Sequence, residues 1–359
     1  MSNSITIKSL FHDYNVDFIV QIEDLIESLL KLDAAFFVID QNIAELYPTL
    51  ISQLPSEHIF LAEATEELKT LNGVERLMNF LISRKANRSS SLVGIGGGII
   101  QDLVTFTSAI YYRGIPFDLV PTTLLSMCDS SIGAKCGINF GDAKNQLGVI
   151  NAPRKIMIHQ AFTNTLEDID VLSGWGEVMK LAATGGPECF ELANKSFREE
   201  GIRPSNLGTI IQMCLETKRG VIEEDEYESD RRRILNYGHT FGHAVEKLSN
   251  HSVPHGVAVI WGMLIVNEIA RLTNDEVSSE IESFDEACFH LLRNISVPQF
   301  EARDYLDLVT KDKKVMKGSI YLAVLDHFGL IQMQPFEIDD EFERLSQEAL
   351  SVVHSKHLT

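Results

Sequence analysis

An apolar segment that runs directly into glycines, SLVGIGGGIIQD at residues 91–102, constrains the fold more than any other part of the chain. Its apolar half predicts a buried strand, and the residues that follow Gly98 predict a helix. The compact apolar runs AAFFVID, HIFLAEA, PFDLVPTTLL and KIMIH also predict strands, and a long amphipathic helix is predicted from Thr65 to about Arg84. Strands that alternate with helices predict an open, mostly parallel sheet with helices on both faces.

The pattern changes beyond about residue 165. Only SIYLAVL near the end resembles a further strand. Long helical periods cover residues 171–183, 207–223, 236–248, 257–273 and 278–294. We therefore predict an α/β domain at residues 1–165 and a mainly helical domain at residues 166–359.

The composition argues against several classes of partner. The net charge of −20 over 359 residues disfavours nucleic acid and anionic membrane surfaces, which repel an acidic protein. No apolar run is expected to span a bilayer, and the first residues lack the charged-then-apolar pattern of a secretion signal. The five cysteines are widely spaced without a C-x-x-C pair, which favours reduced thiols and a cytoplasmic location.

The glycine run also has a functional interpretation. Gly94, Gly96, Gly97 and Gly98 lie where the predicted strand meets the predicted helix. Glycines at such a point let backbone N–H groups approach a pyrophosphate. The spacing is not the usual G-x-G-x-x-G, so a tight strand–helix turn explains it equally well. Asp40, at the end of an earlier strand, is either a ligand for ribose hydroxyls or a helix cap.

The segment VPTTLLSMCDSSIGAKCGINFGDAKNQLG, residues 120–148, is unusually polar for a stretch that follows a buried strand. Its polar residues are Thr122, Thr123, Asp129, Lys135, Lys144 and Asn145. Closely spaced lysines among small residues suit phosphate or carboxylate binding, whereas a solvated loop is the alternative. The four lysines of TKDKKVMKGS are read as a solvated charge run, from which one lysine can reach a ligand.

Histidines and one glutamate have the spacing of a metal site. His239 and His243 lie four residues apart, so both project from one face of a helix, and His255 follows a Pro–His–Gly turn. Glu177 and Lys180 share a helical face, for which a surface ion pair is the commoner explanation. A glutamate with two histidines and an open position is typical of catalytic zinc, although a histidine pair is also a common core or cap feature.

Taken together, the blocks GGGIIQD, YYRGIPFDLVPTTLL, DSSIGAK, KNQLG, SGWGEVMK, RRILNYGHTFGHA, HG and DKK occur in an order that resembles 3-dehydroquinate synthase and the wider sugar-phosphate cyclase family. The resemblance extends from about residue 30 to residue 335, and LNYGHTFGHAVE is its most specific block. It implies an α/β plus α architecture, with an N-terminal Rossmann-like NAD-binding domain and a C-terminal helical domain that binds Zn²⁺ or Co²⁺. It also implies a homodimer.

The resemblance assigns roles to individual positions. The metal ligands it implies are Glu177, His239 and His255. The catalytic and substrate-binding residues it implies are Asp129, Lys135, Lys144, Asn145, Lys180, Lys218, Arg232, Asn236, His243 and Lys313, with Arg113 reaching a phosphate across the dimer interface. The NAD-binding residues it implies are Asp40, Glu66, Lys69, Gly97, Asp102, Thr122, Thr123, Phe162 and Thr165.

The implied activity is a lyase reaction of the shikimate pathway on a heptulosonate 7-phosphate. NAD transiently oxidises a ring hydroxyl, phosphate is eliminated, the ketone is reduced again, and an aldol closure forms a carbocycle without net redox change. Arg232, Asn236 and DKK, which vary in cyclases whose substrates lack a carboxylate, are retained here. The alternatives are a cyclase acting on sedoheptulose 7-phosphate or glucose 6-phosphate, a metal-dependent polyol dehydrogenase, or a non-catalytic binding protein.

The chain also departs from the pattern that this family commonly shows. Gln101 stands in place of a glycine in GGGxxGDL, and Gln146 follows KN where KNMIG is usual. Ala134 and Cys136 replace an expected glycine and threonine, and Val257 replaces the glutamate of HGEAVA. Loss of a glutamate beside a metal ligand is expected to alter the metal site through its outer hydrogen bonds.

Overall fold

The protein is described from a computed structural model, which describes residues 4–141, 143–274, 278–298, 300–310, 315–316 and 318–357. The chain forms two compact units. The N-terminal unit contains the chain as far as Glu167 together with Leu207–Ile211 and Lys218–Tyr227. The C-terminal unit contains Asp168–Asn206, Gln212–Thr217 and the chain from Glu228 onward.

Strands and helices alternate along the first part of the chain. They are β1 (Ser4–Ile7), β2 (Tyr14–Phe18), α1 (Ile22–Leu30), β3 (Ala35–Asp40), α2 (Gln41–Leu46), α3 (Pro48–Gln53), β4 (Ile59–Ala62), α4 (Leu71–Ser83), β5 (Ser91–Gly96), α5 (Gly98–Ile110), β6 (Phe117–Pro121), β7 (Lys135–Phe140), β8 (Ala143–Ile150) and β9 (Lys155–Ile158).

The main sheet of the N-terminal unit has the strand order β1-β2-β9-β6-β5-β3-β4. Its pairs are parallel except for the hairpin of β1 with β2, so the predicted mostly parallel sheet is confirmed. Every residue of β5 and β6 is buried, as expected for central strands that are covered on both faces. Helix α5 begins directly after β5 at the glycine run.

One expectation for this unit is wrong in detail, and one hairpin was not predicted. The helix predicted from Thr65 begins only at Leu71, because the hydroxyl of Thr70 caps it by accepting from the Gly73 N–H at 3.5 Å. The preceding turn instead pairs with the polar segment, where the Asn139 N–H donates to the Lys69 carbonyl at 2.8 Å. That segment contains a short π-helix, Ser126–Ser130, and then the antiparallel hairpin β7–β8, which its polar composition did not indicate.

Helices dominate the rest of the chain, as predicted. They are α6 (Asp168–Gly185), α7 (Pro187–Glu200), α8 (Leu207–Ile222), α9 (His239–Leu248), α10 (His255–Thr273), α11 (Ser279–Leu292), α12 (Ala302–Val309) and α13 (Asp340–His357). A second sheet joins β10 (Val315–Met316), β11 (Ser319–His327) and β12 (Leu330–Glu337) in antiparallel order. Only β11 was expected; the turn before β12 depends on Gly329, whose φ of 88° favours glycine.

Helix α10 is the core of the C-terminal unit, where α6, α9 and α13 pack against it. By length and composition alone α10 is apolar enough to cross a membrane, contrary to the expectation that no run would be. However, 78% of its apolar stretch is buried, as in a core helix. Helices α6 and α10 touch through their backbones. A Cβ atom on Gly256 would lie 1.7 Å from the Ser173 carbonyl oxygen, so only glycine permits this contact.

Candidate functional site

Glu177, His239 and His255 come together in the C-terminal unit and are called here the carboxylate–histidine cluster. The Oε1 atom of Glu177 lies 3.1 Å from Nε2 of His255 and 3.6 Å from Nε2 of His239. One potential ligand atom from each residue lies within 4.8 Å of the others. The side chain of Glu177 is 1% exposed and that of His255 is 33% exposed, so the cluster opens on the histidine side.

Three helices carry this cluster. Glu177 follows Gly176 within α6, while His239 and His255 are the first residues of α9 and α10. The backbone contact at Gly256 places α10 against α6, and the Gly256 N–H donates to the hydroxyl of Ser173 at 3.0 Å. Small residues beside the ligands therefore allow the helices to approach closely enough for their side chains to meet.

The outer nitrogen of each histidine has its own partner. Nδ1 of His239 lies 3.2 Å from the Tyr237 carbonyl oxygen, to which only a protonated nitrogen can donate. Nδ1 of His255 lies 3.2 Å from Oε2 of Glu246. Both contacts direct the Nε2 atoms toward Glu177, which is the usual arrangement in histidine-ligated metal sites.

Charged neighbours surround His255 and Glu177. Burial lowers the pKa of His255, but hydrogen bonds to the carboxylates of Glu177 and Glu246 outweigh it and raise this pKa to about 10. Lys180, one turn along α6, forms an ion pair with Oε2 of Glu177, and both side chains are buried. The predicted surface ion pair is therefore a buried one, in which each charge depends on the other.

His243 lies beside the cluster, and its ring centroid is 5.4 Å from that of His239 and 6.0 Å from that of His255. The predicted common face of His239 and His243 on one helix is confirmed by this contact. His243, Glu246 and His255 form a second group whose ligand atoms approach within 4.8 Å. Geometry alone therefore permits two metal positions that share His255.

Glu246 was not among the residues indicated by sequence. It lies three residues after His243 and seven after His239, a spacing that places all three on one helical face. That spacing was the available signal. Val257, at the position where the family commonly has a glutamate, is fully buried within α10, and Glu246 provides a carboxylate next to His255.

In the N-terminal unit, three groups of predicted residues are in contact. Lys218 pairs with the carboxylate of Asp129 and also donates to its carbonyl oxygen at 2.7 Å. Nζ of Lys69 lies 2.6 Å from Oδ2 of Asp102, whose Oδ1 accepts from the Gly137 N–H. Burial outweighs Lys69 and raises the pKa of Asp102.

The third group is centred on Asn139. Nδ2 of Asn139 donates to Oε2 of Glu66 at 2.8 Å. Its side-chain oxygen, Oδ1, accepts from the Asn145 N–H at 3.0 Å. Nζ of Lys144 lies 3.5 Å from Oε1 of Glu66. Asn139 thereby joins the turn before α4 to the β7–β8 hairpin, a role that its sequence context did not indicate.

The remaining cofactor candidates lie near strand ends. Asp40 ends β3 and caps α2 by accepting from Asn42 N–H at 3.0 Å, and burial raises its pKa. Gly97 precedes α5, and the hydroxyl of Thr123 donates to Ser126. Thr122 is buried directly after β6. Phe162 and Thr165 lie in the 3₁₀ turn Gln160–Thr165, and each contacts the side chain of Tyr47.

The remaining substrate-binding candidates do not belong to any of these groups. Lys135 is exposed at the start of β7, and Arg113 is exposed in a 3₁₀ turn with a positive φ of 68°. Arg232 is 6% exposed in the turn Arg231–Asn236, where Asn236 donates to Oε1 of Glu228 at 2.5 Å. Lys313 lies outside the described residues.

Gln101, one of the departures from the family pattern, lies under the exposed hydroxyl of Ser130. Its Oε1 atom accepts from that hydroxyl at 2.8 Å, and its buried Nε2 atom has no partner among the residues that the structure describes. Ala134 adopts a positive φ of 58°, which suits the glycine expected there. Cys136 is buried and its thiol donates to the Asp102 carbonyl oxygen.

The chain matches known proteins over most of its length. The 3-dehydroquinate synthase N-terminal family model matches residues 59–173, and the 3-dehydroquinate synthase C-terminal model matches residues 174–315. The 3-dehydroquinate synthase of Alkaliphilus metalliredigens is 33% identical over 305 residues, which cover 84% of this chain and 86% of that enzyme.

Solved structures show the same fold. A 2-deoxy-scyllo-inosose synthase complexed with carbaglucose-6-phosphate, NAD+ and Co2+ has a TM-score of 0.86 at 23% identity, covering 97% of this chain and 99% of that one. The 2-epi-5-epi-valiolone synthase of Streptomyces hygroscopicus, with NAD+ and Zn2+ bound, has a TM-score of 0.83 at 22% identity, covering 96% and 97%. The predicted combination of a Rossmann-like unit and a helical unit is confirmed, and the chain belongs to the 3-dehydroquinate synthase family.

Proposed function

We propose that this chain is a lyase of the 3-dehydroquinate synthase type, which cyclises a heptulosonate 7-phosphate with loss of phosphate. The observation that carries the proposal is the carboxylate–histidine cluster, formed by residues from three helices in a chain whose 33%-identical relatives are 3-dehydroquinate synthases. The proposal further includes bound NAD, a divalent metal and a homodimer.

The cluster fits a divalent metal by its donor chemistry. Glu177, His239 and His255 would hold Zn²⁺ or Co²⁺, because one carboxylate and two imidazoles suit borderline metals and leave positions for substrate oxygens. The Nδ1 partners of both histidines direct Nε2 toward the same point. His243 is the more exposed histidine of α9, so we assign it to the substrate.

The start of α5 fits the pyrophosphate of NAD. Among the described residues, a Cβ atom on Gly98 would approach only the hydroxyl oxygen of Ser130, at 3.9 Å, so the backbone there is open to a ligand. Backbone N–H groups at a helix start favour a phosphate. The residues assigned to NAD are Asp40, Glu66, Lys69, Gly97, Asp102, Thr122, Thr123, Phe162 and Thr165.

When bound, NAD would accept a hydride from the carbon that bears a ring hydroxyl and later return it, and the metal would polarise the oxygen of that hydroxyl. The chain's own residues would bind and orient the substrate. The basic and amide side chains assigned to its phosphate and carboxylate are Lys135, Lys144, Asn145, Lys180, Lys218, Arg232, Asn236 and Lys313. Arg113 would reach the phosphate bound by a partner subunit.

Asp129 and His243 complete the proposed chemistry. Asp129 orients the ammonium group of Lys218 through the buried ion pair. His243 would exchange a proton with a substrate oxygen, because its ring is exposed beside the cluster. Arg232 is nearly buried, and a buried guanidinium is suited to a carboxylate-bearing substrate.

A phosphate-release assay tests the choice of substrate. The purified protein, supplied with NAD⁺ and Zn²⁺ or Co²⁺, would be given 3-deoxy-arabino-heptulosonate 7-phosphate, sedoheptulose 7-phosphate or glucose 6-phosphate. Release from the first alone is the expected result. Release only from one of the others would favour a sibling cyclase, an alternative that Gln101, Gln146 and Val257 keep open, and steady NADH accumulation with a simple alcohol would favour a polyol dehydrogenase.

A further inference from the structure

Glu246 is placed to act on the metal through His255. Its Oε2 atom lies 3.2 Å from Nδ1 of His255, while Nε2 on the opposite side of the ring faces Glu177 at 3.1 Å. The side chain of Glu246 is 15% exposed, so the contact is largely shielded from water. The Glu246 carboxylate and the expected metal position therefore lie on opposite sides of the His255 imidazole ring.

The backbone of Glu246 is fixed close to the end of α9. Glu246 lies within α9, and its backbone carbonyl accepts from the His251 N–H at 2.7 Å in the turn that leads toward α10. In α10, the residue two positions beyond His255 is Val257, which is fully buried and has no carboxylate. Among the described residues, the carboxylates that contact His255 are those of Glu177 and Glu246.

We propose that Glu246 is a positioning residue for the metal. It accepts a hydrogen bond from Nδ1–H of His255, fixes the ring orientation and makes Nε2 the metal-binding atom. Such outer carboxylates increase the basicity of a histidine ligand and slow the loss of the ion. The inference rests on the proposed function, because it requires a metal at the carboxylate–histidine cluster.

The geometry raises one competing interpretation. His243, Glu246 and His255 form the second group of potential ligands, so Glu246 could itself bind a second ion. The two interpretations differ in stoichiometry. A positioning role requires one ion per chain and a Glu246 variant that still binds it, whereas a ligand role requires that the variant lose one of two ions.

The test is the rate at which Co²⁺ or Zn²⁺ leaves the protein, followed with an excess of a chromophoric chelator. The dissociation rate does not depend on protonation of the metal-free site, unlike an equilibrium affinity measured at one pH. We expect Glu246→Ala to release the ion roughly tenfold faster than the unmodified protein, and Glu246→Gln to lie between the two, because an amide oxygen still accepts the hydrogen bond without charge. The visible spectrum of the Co²⁺ form should change in the same order.

Glu286→Gln is the matched control, because it makes the same chemical change at an exposed position of α11 in the same unit. It should release the ion at the unmodified rate. Thermal unfolding of each metal-free variant establishes that it is folded, and Glu246→Gln, which retains side-chain volume, keeps the test available if the alanine variant is unstable.

The possible results distinguish a failure of the proposed function from a failure of the role proposed for Glu246. Failure of the unmodified protein to bind either ion would overturn both the proposed function and this inference. Unchanged dissociation rates in both Glu246 variants, or the loss of one of two bound ions, would overturn the inference and leave the proposed function standing.

Discussion

Replacement of Gly256 by alanine should disturb both the stability of the C-terminal unit and its metal site. A Cβ atom at this position would lie 1.7 Å from the Ser173 carbonyl oxygen and 2.6 Å from its carbon. Non-bonded atoms meet at about 3.5 Å, so α6 and α10 would have to separate locally by roughly 1.8 Å. The obstacle is backbone, which cannot rotate away as a side chain can.

That separation acts directly on the cluster, because Glu177 lies on α6 and His255 lies on α10, next to the altered residue. Metal–ligand distances can vary by only about 0.2 Å, which is far less than the separation of the two helices that the alanine would require. We therefore expect zinc affinity to fall by roughly a hundredfold. Overpacking should also lower the free energy of unfolding by about 3 kcal/mol, the upper part of the usual range.

Urea unfolding of the metal-free protein and competition of zinc with a chelator would measure the two effects. Gly220→Ala is the matched control, because a Cβ on this residue of α8 meets no atom within 4 Å in the part of the chain that the structure describes. Alanine there should stabilise the helix by up to ~1 kcal/mol without changing zinc affinity. Wild-type stability and zinc affinity in the Gly256 variant would refute the view that backbone contact sets the ligand spacing.

Three further predictions concern single residues. His239→Ala should lose bound zinc and turnover, whereas His243→Ala should retain zinc and lose turnover; full metal content in the first variant would contradict the ligand assignment. The pKa of His255 is raised to about 10, above the ~6.5 of an unfolded chain, so its stabilising contribution is complete below pH ~6.5 and is lost as the pH rises toward 10. Urea unfolding of the metal-free protein at several pH values should show this decline, and an equal decline in His255→Gln would exclude His255 as its source. Ala134→Gly should raise the free energy of unfolding by up to ~1 kcal/mol, because glycine adopts the positive φ without strain; a loss of stability would show that the alanine methyl group packs favourably.

Much of the N-terminal sheet could be predicted because its strands are continuous apolar runs. In β5 the run ends at glycines, which indicated both the strand and the start of α5. The hairpin β7–β8 could not be recognised in the same way, because most of β8 is exposed and its apolar residues are interrupted by Lys144, Asn145 and Gln146. The hairpin also contacts a residue distant in sequence, because the Asn139 N–H donates to the Lys69 carbonyl oxygen.

The site shows a similar division. Residues with distinctive chemistry in specific blocks, such as His239 and His255, were predictable as candidates, and the structure brings them to Glu177. Glu246 was not predicted, because a glutamate on an amphipathic helix is ordinarily solvated. Its significance depends on the approach of α10, which brings His255 within 3.2 Å and which the spacing within α9 alone does not show.

The buried pairing of Lys180 with Glu177 has a consequence for the net charge of the site. Since the lysine already offsets the charge of this carboxylate, a divalent ion there would add positive charge that the pair itself does not balance. A chain with a net charge of −20 would thus contain a local region that attracts anions. Metal loading would then strengthen the attraction of this region for a phosphorylated acid.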